Sequence, residues 1–210
     1  QVTILYLMAL FLARKRGRMT SEVTRRDLQC LLRLPEQIER ALSQWDELAE
    51  EFGQVHFKAE KFLYLGRGVH YAIAREGALK LKEISYAHAE GYPAGELKHG
   101  PNALVDEKLP VVTLATFDEH DPDSVLRYRK TLEVMKEVRS RRGHVVAVAT
   151  EGDIEVSAIA EHVFYVPSAP ELLLPIVEVI PLQLFAYHVA TKKGYDVDHP
   201  RNLVKAVVTE

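Results

Sequence analysis

The sequence predicts an α/β protein, a three-layer αβα sandwich around a parallel sheet with a helical connector in front of it. Four stretches, "KFLYL" (61–65), "VVTLAT" (111–116), "HVVAVAT" (144–150) and "HVFYVP" (162–167), are continuous apolar runs of strand length. Such runs suit strands covered on both faces, as in a parallel sheet. Helical patterns at 69–87, 123–141, 153–160 and 171–193 separate and follow them, which is the alternation of a doubly wound fold. In such sheets ligands sit at the carboxyl ends of the strands.

The elements follow in order. "ILYLMALFLA" (4–13) is an apolar run of ten residues, half the length needed to span a bilayer. Its basic cluster comes after the apolar run rather than before it, unlike a signal peptide. It is expected to be a buried helix, and the chain is expected to be a piece of a longer polypeptide, since it starts inside this helical pattern without Met. A second helix opens with Thr20 or Ser21 as N-cap. Pro35 is expected to start a third, in which Ile38, Leu42, Trp45 and Leu48 recur at helical spacing. Residues 1–55 therefore read as the connector and 56–210 as the α/β domain. In the domain, Pro175 and Pro181 are candidate breaks in the last helix, and "SRRGH" (140–144) reads as a charged helix end with a glycine stop. No internal repeat is evident.

Composition excludes several classes. Twenty-seven basic and thirty acidic residues are interspersed to a net charge of −3, so there is no basic footprint for nucleic acid. One cysteine, Cys30, cannot form an internal disulfide and fits a reducing cytoplasm; its helical setting makes it a small apolar side chain.

The first strand runs into "LGRGVHY", a glycine-containing βα turn that presents N–H groups. Position 71 is Tyr71 where a dinucleotide fingerprint needs its third glycine, so a nicotinamide cofactor is not expected. His88 and His99 match no zinc spacing, and no metal is expected. Glu76, Lys80 and Glu83 stand at i, i+4, i+7 on one helix face. They form either an exposed ion-pair ladder or, if the largely apolar helix is mostly covered, a carboxylate and ammonium with tunable pKa values for proton transfer. "EGYPAGELKHGP" (90–101) reads as a turn-rich loop. Within it His99 suits general acid or base work, or a structural hydrogen bond. Lys205, isolated in an apolar tail, either snorkels to solvent or serves as an imine-forming nucleophile.

Several of these stretches, "LGRG", "EGALKLKEISY", "AGELKHGP", "PLQLFAYHVATKKGYDVDHPRNL" and the terminal "VTE", resemble in one order the C-terminal part of the isomerising glutamine–fructose-6-phosphate aminotransferases. The resemblance runs from about Lys61 to Glu210, and the preceding helices resemble that family's link between two sugar isomerase halves. It implies a sugar isomerase (SIS) fold. It also implies the conversion of fructose 6-phosphate and glutamine-derived ammonia to glucosamine 6-phosphate in the cytoplasm, without a cofactor. By the same resemblance Glu83 is the base that moves a proton between C1 and C2, and Lys80 assists it. His99 opens the sugar ring from the neighbouring subunit of a homodimer. Lys205 forms the imine and the backbone of Val204 contacts the sugar. Glu90 and Glu96 match no functional residue.

The chain departs from the full family in two respects. It shows neither a glutaminase with an N-terminal cysteine nor the Ser/Thr-rich loop that grips the sugar phosphate. At most weak isomerase activity is expected without that phosphate-binding half. Two other functions stay open: a stand-alone phosphosugar isomerase or deaminase, and a phosphosugar-binding regulatory module that does no chemistry. No membrane or nucleic-acid partner is expected.

Overall fold

A computed structural model describes residues 1–203. The domain is built on five parallel strands, β1 (Lys61–Gly66), β2 (His88–Pro93), β3 (Pro110–Ala115), β4 (His144–Thr150) and β5 (His162–Val166), in the order β2-β1-β3-β4-β5. Among the described residues six α-helices surround or precede them: α1 (Val2–Lys15), α2 (Ser21–His56), α3 (His70–Ser85), α4 (Pro122–Ser140), α5 (Ile154–Ser157) and α6 (Leu174–Lys192). The αβα sandwich expected from the sequence is the observed architecture. Side chains alternate across the sheet. Phe62, Tyr64, Val112, Val146 and Phe164 join the layer of α2, α3 and α6. Leu63, Leu65, Val111, Val145 and Ala147 join that of α4 and α5.

β2 is the strand that periodicity does not reveal. "HAEGYP" reads as part of a loop because only Ala89 is buried in it and it carries Gly and Pro. It lies at the sheet edge, paired on one side alone, where a continuous apolar run is not required. After β2 the chain continues in two 3-10 turns, Ala94–His99 and Pro101–Leu104. Pro35 sits inside a single α2 of 36 residues and Pro181 inside α6, so neither ends its helix, whereas Pro175 is the second residue of α6, at one of the breaks expected in that stretch. The expected third helix is therefore the second half of α2. At the end of α4 it is Arg142, not Gly143, that takes the left-handed turn, at φ 63°. Gly143 is needed for space, since a Cβ there would lie 2.6 Å from Val138 Cγ1.

α6 is long and apolar enough to cross a membrane by length and composition, but Leu182, Phe185, Ala186 and Val189 on it are fully buried, as in the core helix of a domain.

α1 corrects two expectations. Only Tyr6 and Leu10 are buried, while Leu5, Met8, Phe11 and Leu12 are about half exposed or more, at 47–64%. The helix touches α2 along one side, where Tyr6 Oη donates to Asp27 at 2.7 Å, and the rest of its apolar surface faces outward. The second concerns repeats. Val2–Gly17 aligned with Val179–Gly194 matches Val, Leu, Leu, Ala, Ala, Lys and Gly, seven of sixteen positions without a gap. Both helices end in the same Schellman turn. Gly17 and Gly194 have φ 64° and 79°, and Arg18 N donates to Ala13 O (2.9 Å) as Tyr195 N does to Ala190 O (3.1 Å). The positions that α6 buries at Leu182, Phe185 and Val189 are those α1 exposes at Leu5, Met8 and Leu12. α1 thus has the sequence of a core helix without a sheet beneath it.

Candidate active site

α3 leaves the carboxyl end of β1 and runs back toward the start of β2. Gly66 at its root is required by close approach, since a Cβ there would stand 2.4 Å from the His70 carbonyl oxygen. Its inner face, Ile73, Ala74, Gly77, Ala78 and Leu81, is buried. Its outer face is less covered than its composition implies, with Val69 and Leu79 about 40% exposed. Glu76, Lys80 and Glu83 lie on the rim between the two. Lys80 Nζ is 2.8 Å from Glu83 Oε2 and 3.7 Å from Glu76 Oε1. Side-chain exposures of 27% for Glu83 and 36% for Lys80 leave both open to a ligand. The hydrogen bond to Glu83, more than any other contact, raises the Lys80 pKa. Lys80 therefore stays an ammonium through neutral pH and presents a fixed cation beside the Glu83 carboxylate.

The end of α3 is held by contacts that the sequence did not single out. Tyr86 terminates the helix in the left-handed region, at φ 58°, a conformation a bulky residue keeps only where its surroundings hold it. Its ring packs edge-on to Tyr195, with centroids 4.7 Å apart, and the Arg201 guanidinium lies 4.0 Å over it. Its hydroxyl accepts from Arg201 N at 2.9 Å. Lys193, its pKa lowered by desolvation, donates to the Ser85 and Ala59 carbonyls, 3.4 Å each. The tail is turned by Asp196, which accepts from Asp198 N (2.9 Å) and from His199 Nδ1 (3.0 Å). Residues 193–201 are thereby held beside the helix turn that carries Glu83. Lys205 and Val204 lie outside the described residues.

His99 is not brought to this pair. It ends the 3-10 turn beyond the carboxyl end of β2, exposed, while Glu83 sits at the far end of α3, toward the amino edge of the sheet. Glu90 and Glu96 are exposed, and Glu90 Oε2 lies 3.7 Å from His88. A cleft of about 710 Å³ opens at the amino ends of the strands around His56, Lys61, Pro110 and His144 and contains none of these groups.

The carboxyl edge holds a second cluster that sequence spacing could not reveal, because its members are spread over more than a hundred residues. Between β1 and β3, where the strand order reverses, His70 is wholly buried, with Nδ1 2.6 Å from Glu178 and Nε2 3.0 Å from Glu171. Arg127 grips Glu171 with two parallel bonds of 2.8 Å, and Ser124 Oγ donates to Glu171 at 2.5 Å. Thr116 donates to Glu178. Burial alone would depress the His70 pKa, but Glu178 and Glu171 outweigh it and the net shift is upward. Burial would raise Glu171, but hydrogen bonds from His70, Arg127 and Ser124 bring it down to about 2.

These shifts set a pH window. The raised His70 contributes stability that is complete below its unfolded value of 6.5 and is lost as pH rises through the folded value. The lowered Glu171 contributes stability that is complete above 4.5 and is lost as pH falls toward 2. The charged groups facing His70 are Glu171, Glu178 and Arg127. The stability gap between the natural protein and His70→Gln, measured by denaturant unfolding, is expected to be widest between about pH 4.5 and 6.5. It should narrow on either side, and a gap independent of pH would refute the ionic reading.

The sequence profile of the SIS domain matches residues 57–193. The glutamine–fructose-6-phosphate aminotransferase [isomerizing] of Chlorobaculum tepidum is 47% identical over all 210 residues, which align with 33% of its length. That of a strain of Thermus thermophilus is 50% identical over 204 residues, 97% of this chain and 32% of its own. The chain thus spans about a third of the length of the curated relatives it matches. Among solved structures, the C-terminal domain of glucosamine-fructose-6-phosphate aminotransferase from Francisella tularensis superposes with a TM-score of 0.82 at 36% identity. That match covers 93% of this chain and 53% of the other.

Proposed function

The chain belongs to the SIS domain family, and on that footing we propose that it forms the second sugar isomerase unit of an isomerising glutamine–fructose-6-phosphate aminotransferase. In this reading residues 56–210 are the isomerase unit. Residues 1–55 connect it to a preceding half of the same fold, whose last helix is α1. The self-similarity of α1 to α6 supports this, and so does the apolar face α1 leaves open, which is the surface such a half would cover. The protein acts in the cytoplasm on fructose 6-phosphate, as a homodimer in which His99 serves the neighbouring subunit's site. The separation of His99 from Glu83 within one chain is what that sharing requires.

The chemistry follows from the residues. Lys205 condenses with the open-chain ketose at C2, releasing water and forming an imine, which withdraws electrons and acidifies the C1 proton. Glu83 takes a proton from C1 and returns it to C2, while Lys80 holds the carboxylate ionised and in place. Before that proton moves, ammonia derived from glutamine adds at C2 and the C2–Lys205 bond breaks, which frees the lysine amine and leaves a C2 imine of the product nitrogen to acidify C1 in its place, while the backbone of Val204 steadies the sugar. The single observation that carries the proposal is the anchored tail. Tyr86, three residues after Glu83, binds Arg201, four residues before Lys205. Four residues reach at most about 14 Å, a span short enough to support the pairing of Lys205 with Glu83 in this reading.

The test is borohydride trapping with fructose 6-phosphate in the protein joined to its phosphate-binding half, followed by peptide mass mapping. A reduced sugar adduct on Lys205, absent from Lys205→Ala, is expected. Turnover of the sugar with no adduct at Lys205 would remove the imine from the mechanism.

A further inference from the structure

Glu171 stands where an open α/β sheet binds its ligands. The strand order reverses between β1 and β3, so their crossovers leave to opposite faces and a crevice opens at their carboxyl ends. Around that crevice His70 comes from the start of α3, and Ser124 and Arg127 from the first turns of α4. All three converge on one carboxylate. Arg127 Nε and Nη2 take one oxygen each at 2.8 Å, Ser124 Oγ adds a bond of 2.5 Å to Oε2, and His70 Nε2 lies 3.0 Å from Oε1. The donors are built in from behind. Arg127 Nη2 also donates to the Thr116 carbonyl at 2.8 Å, Ser124 Oγ accepts from Asp118 N at 2.8 Å, and Glu178 holds His70 from its other nitrogen. His70 is fully buried, Ser124 nearly so, and the Arg127 side chain is 10% exposed. Glu171 comes from the segment between β5 and α6 and is the more exposed partner, at 19%.

A bidentate arginine and a hydroxyl from α4 and an imidazole N–H from α3, converging on one carboxylate, make an oxyanion receptor. We propose that this crevice is a phosphate-type oxyanion site that the chain fills with its own Glu171 carboxylate, an internal stand-in for a phosphate monoester. The carboxylate satisfies donors that would otherwise be buried unpaired. While it is seated, a free phosphate must displace a tethered competitor. The unit is then closed to phosphate at its own switch point, and this inference holds whether or not the reading of the Glu83 site is correct.

The test is a gain of binding. In Glu171→Ala, thermal unfolding is expected to shift upward saturably with inorganic phosphate, by roughly 5 °C at 100 mM and constant ionic strength. Formate, which restores the missing carboxylate, should give a smaller shift. The natural protein should not respond beyond a chloride control, and Glu171→Ala/Arg127→Met should lose the response. A phosphate monoester that shifts Glu171→Ala as inorganic phosphate does extends the ligand class, whereas no shift confines it to the free ion. If Glu171→Ala is unfolded without ligand, recovery of its fold in phosphate supports the proposal. If it stays unfolded, Glu171→Gln decides by the same titration, with a smaller shift expected. Equal responses in the natural protein and the variant, or none in either, overturn the proposal.

Discussion

Replacing Glu83 with glutamine is expected to lower kcat for glucosamine 6-phosphate formation by about two to four orders of magnitude, with KM little changed. That is a loss of about 3–5.5 kcal/mol in transition-state stabilisation. The amide keeps the volume of the side chain and an oxygen for Lys80, which lies 2.8 Å from the present carboxylate. It removes only the ability to accept and return a proton. Glu76 supplies the internal control. It also faces Lys80, but at 3.7 Å, and its neutralisation should cost well under tenfold, because a half-exposed ion pair contributes little. The measurement is steady-state kinetics with fructose 6-phosphate and ammonia in the protein joined to its phosphate-binding half. Equal losses from Glu83→Gln and Glu76→Gln would reduce the trio to the ion-pair ladder that its spacing equally allows.

The largest loss of stability is expected at Trp45. This side chain of α2 is 1% exposed, and its Nε1 donates to the Tyr165 carbonyl at 2.7 Å. Tyr165 belongs to β5, a strand at the sheet edge with β4 as its one partner. Trp45 therefore fills core volume and also satisfies a carbonyl on the open side of an edge strand. Truncation to alanine removes both and is expected to cost about 3–5 kcal/mol. In a chain of this size that lowers Tm by roughly 6–20 °C. Trp45→Phe should retain most of the packing and lose about 1–3 kcal/mol through the unpaired carbonyl. Denaturant melts of the two variants check the order. A Trp45→Ala protein as stable as the natural one would show that α2 is not bound to the sheet as described.

What the sequence disclosed follows from which interactions are local. β1, β3, β4 and β5 were legible because strands buried on both faces must be apolar at every position. β2 was not, because an edge strand with one buried residue has no such requirement. Pro35 reads as the start of a helix and Pro181 as a break in one, yet tertiary packing of Leu34, Trp45, Leu182 and Phe185 holds both helices intact. The apolar run of α1 was legible as a helix, but its exposure depends on what lies beside it, which no local pattern records. Its kinship with α6 was readable in principle, since the glycines and lysines align at a constant offset, but the exchange of Tyr6 for Gln183 and of Phe11 for His188 masks the pattern. In the candidate site, Lys80 and Glu83 were found because helical spacing places them together. Tyr86, Lys193 and Arg201, which fix the tail, and the His70–Glu171–Arg127 cluster join positions far apart in the chain, and only the fold brings them into contact.

The unbroken α2 sets an angle as well as a length. A helix of 36 residues is about 54 Å long, and each residue added to it turns whatever lies beyond by about 100°. Its C-terminal half is locked to the sheet through Trp45 and Phe52, and its N-terminal half carries α1 through the contact of Tyr6 with Asp27. The compass direction of the open face of α1 is therefore written in the residue count of α2. A single insertion ahead of Pro35 would swing that face a quarter of a turn away, whereas seven residues, close to two full turns, would nearly restore its bearing. Evolution can lengthen such a connector only in phase.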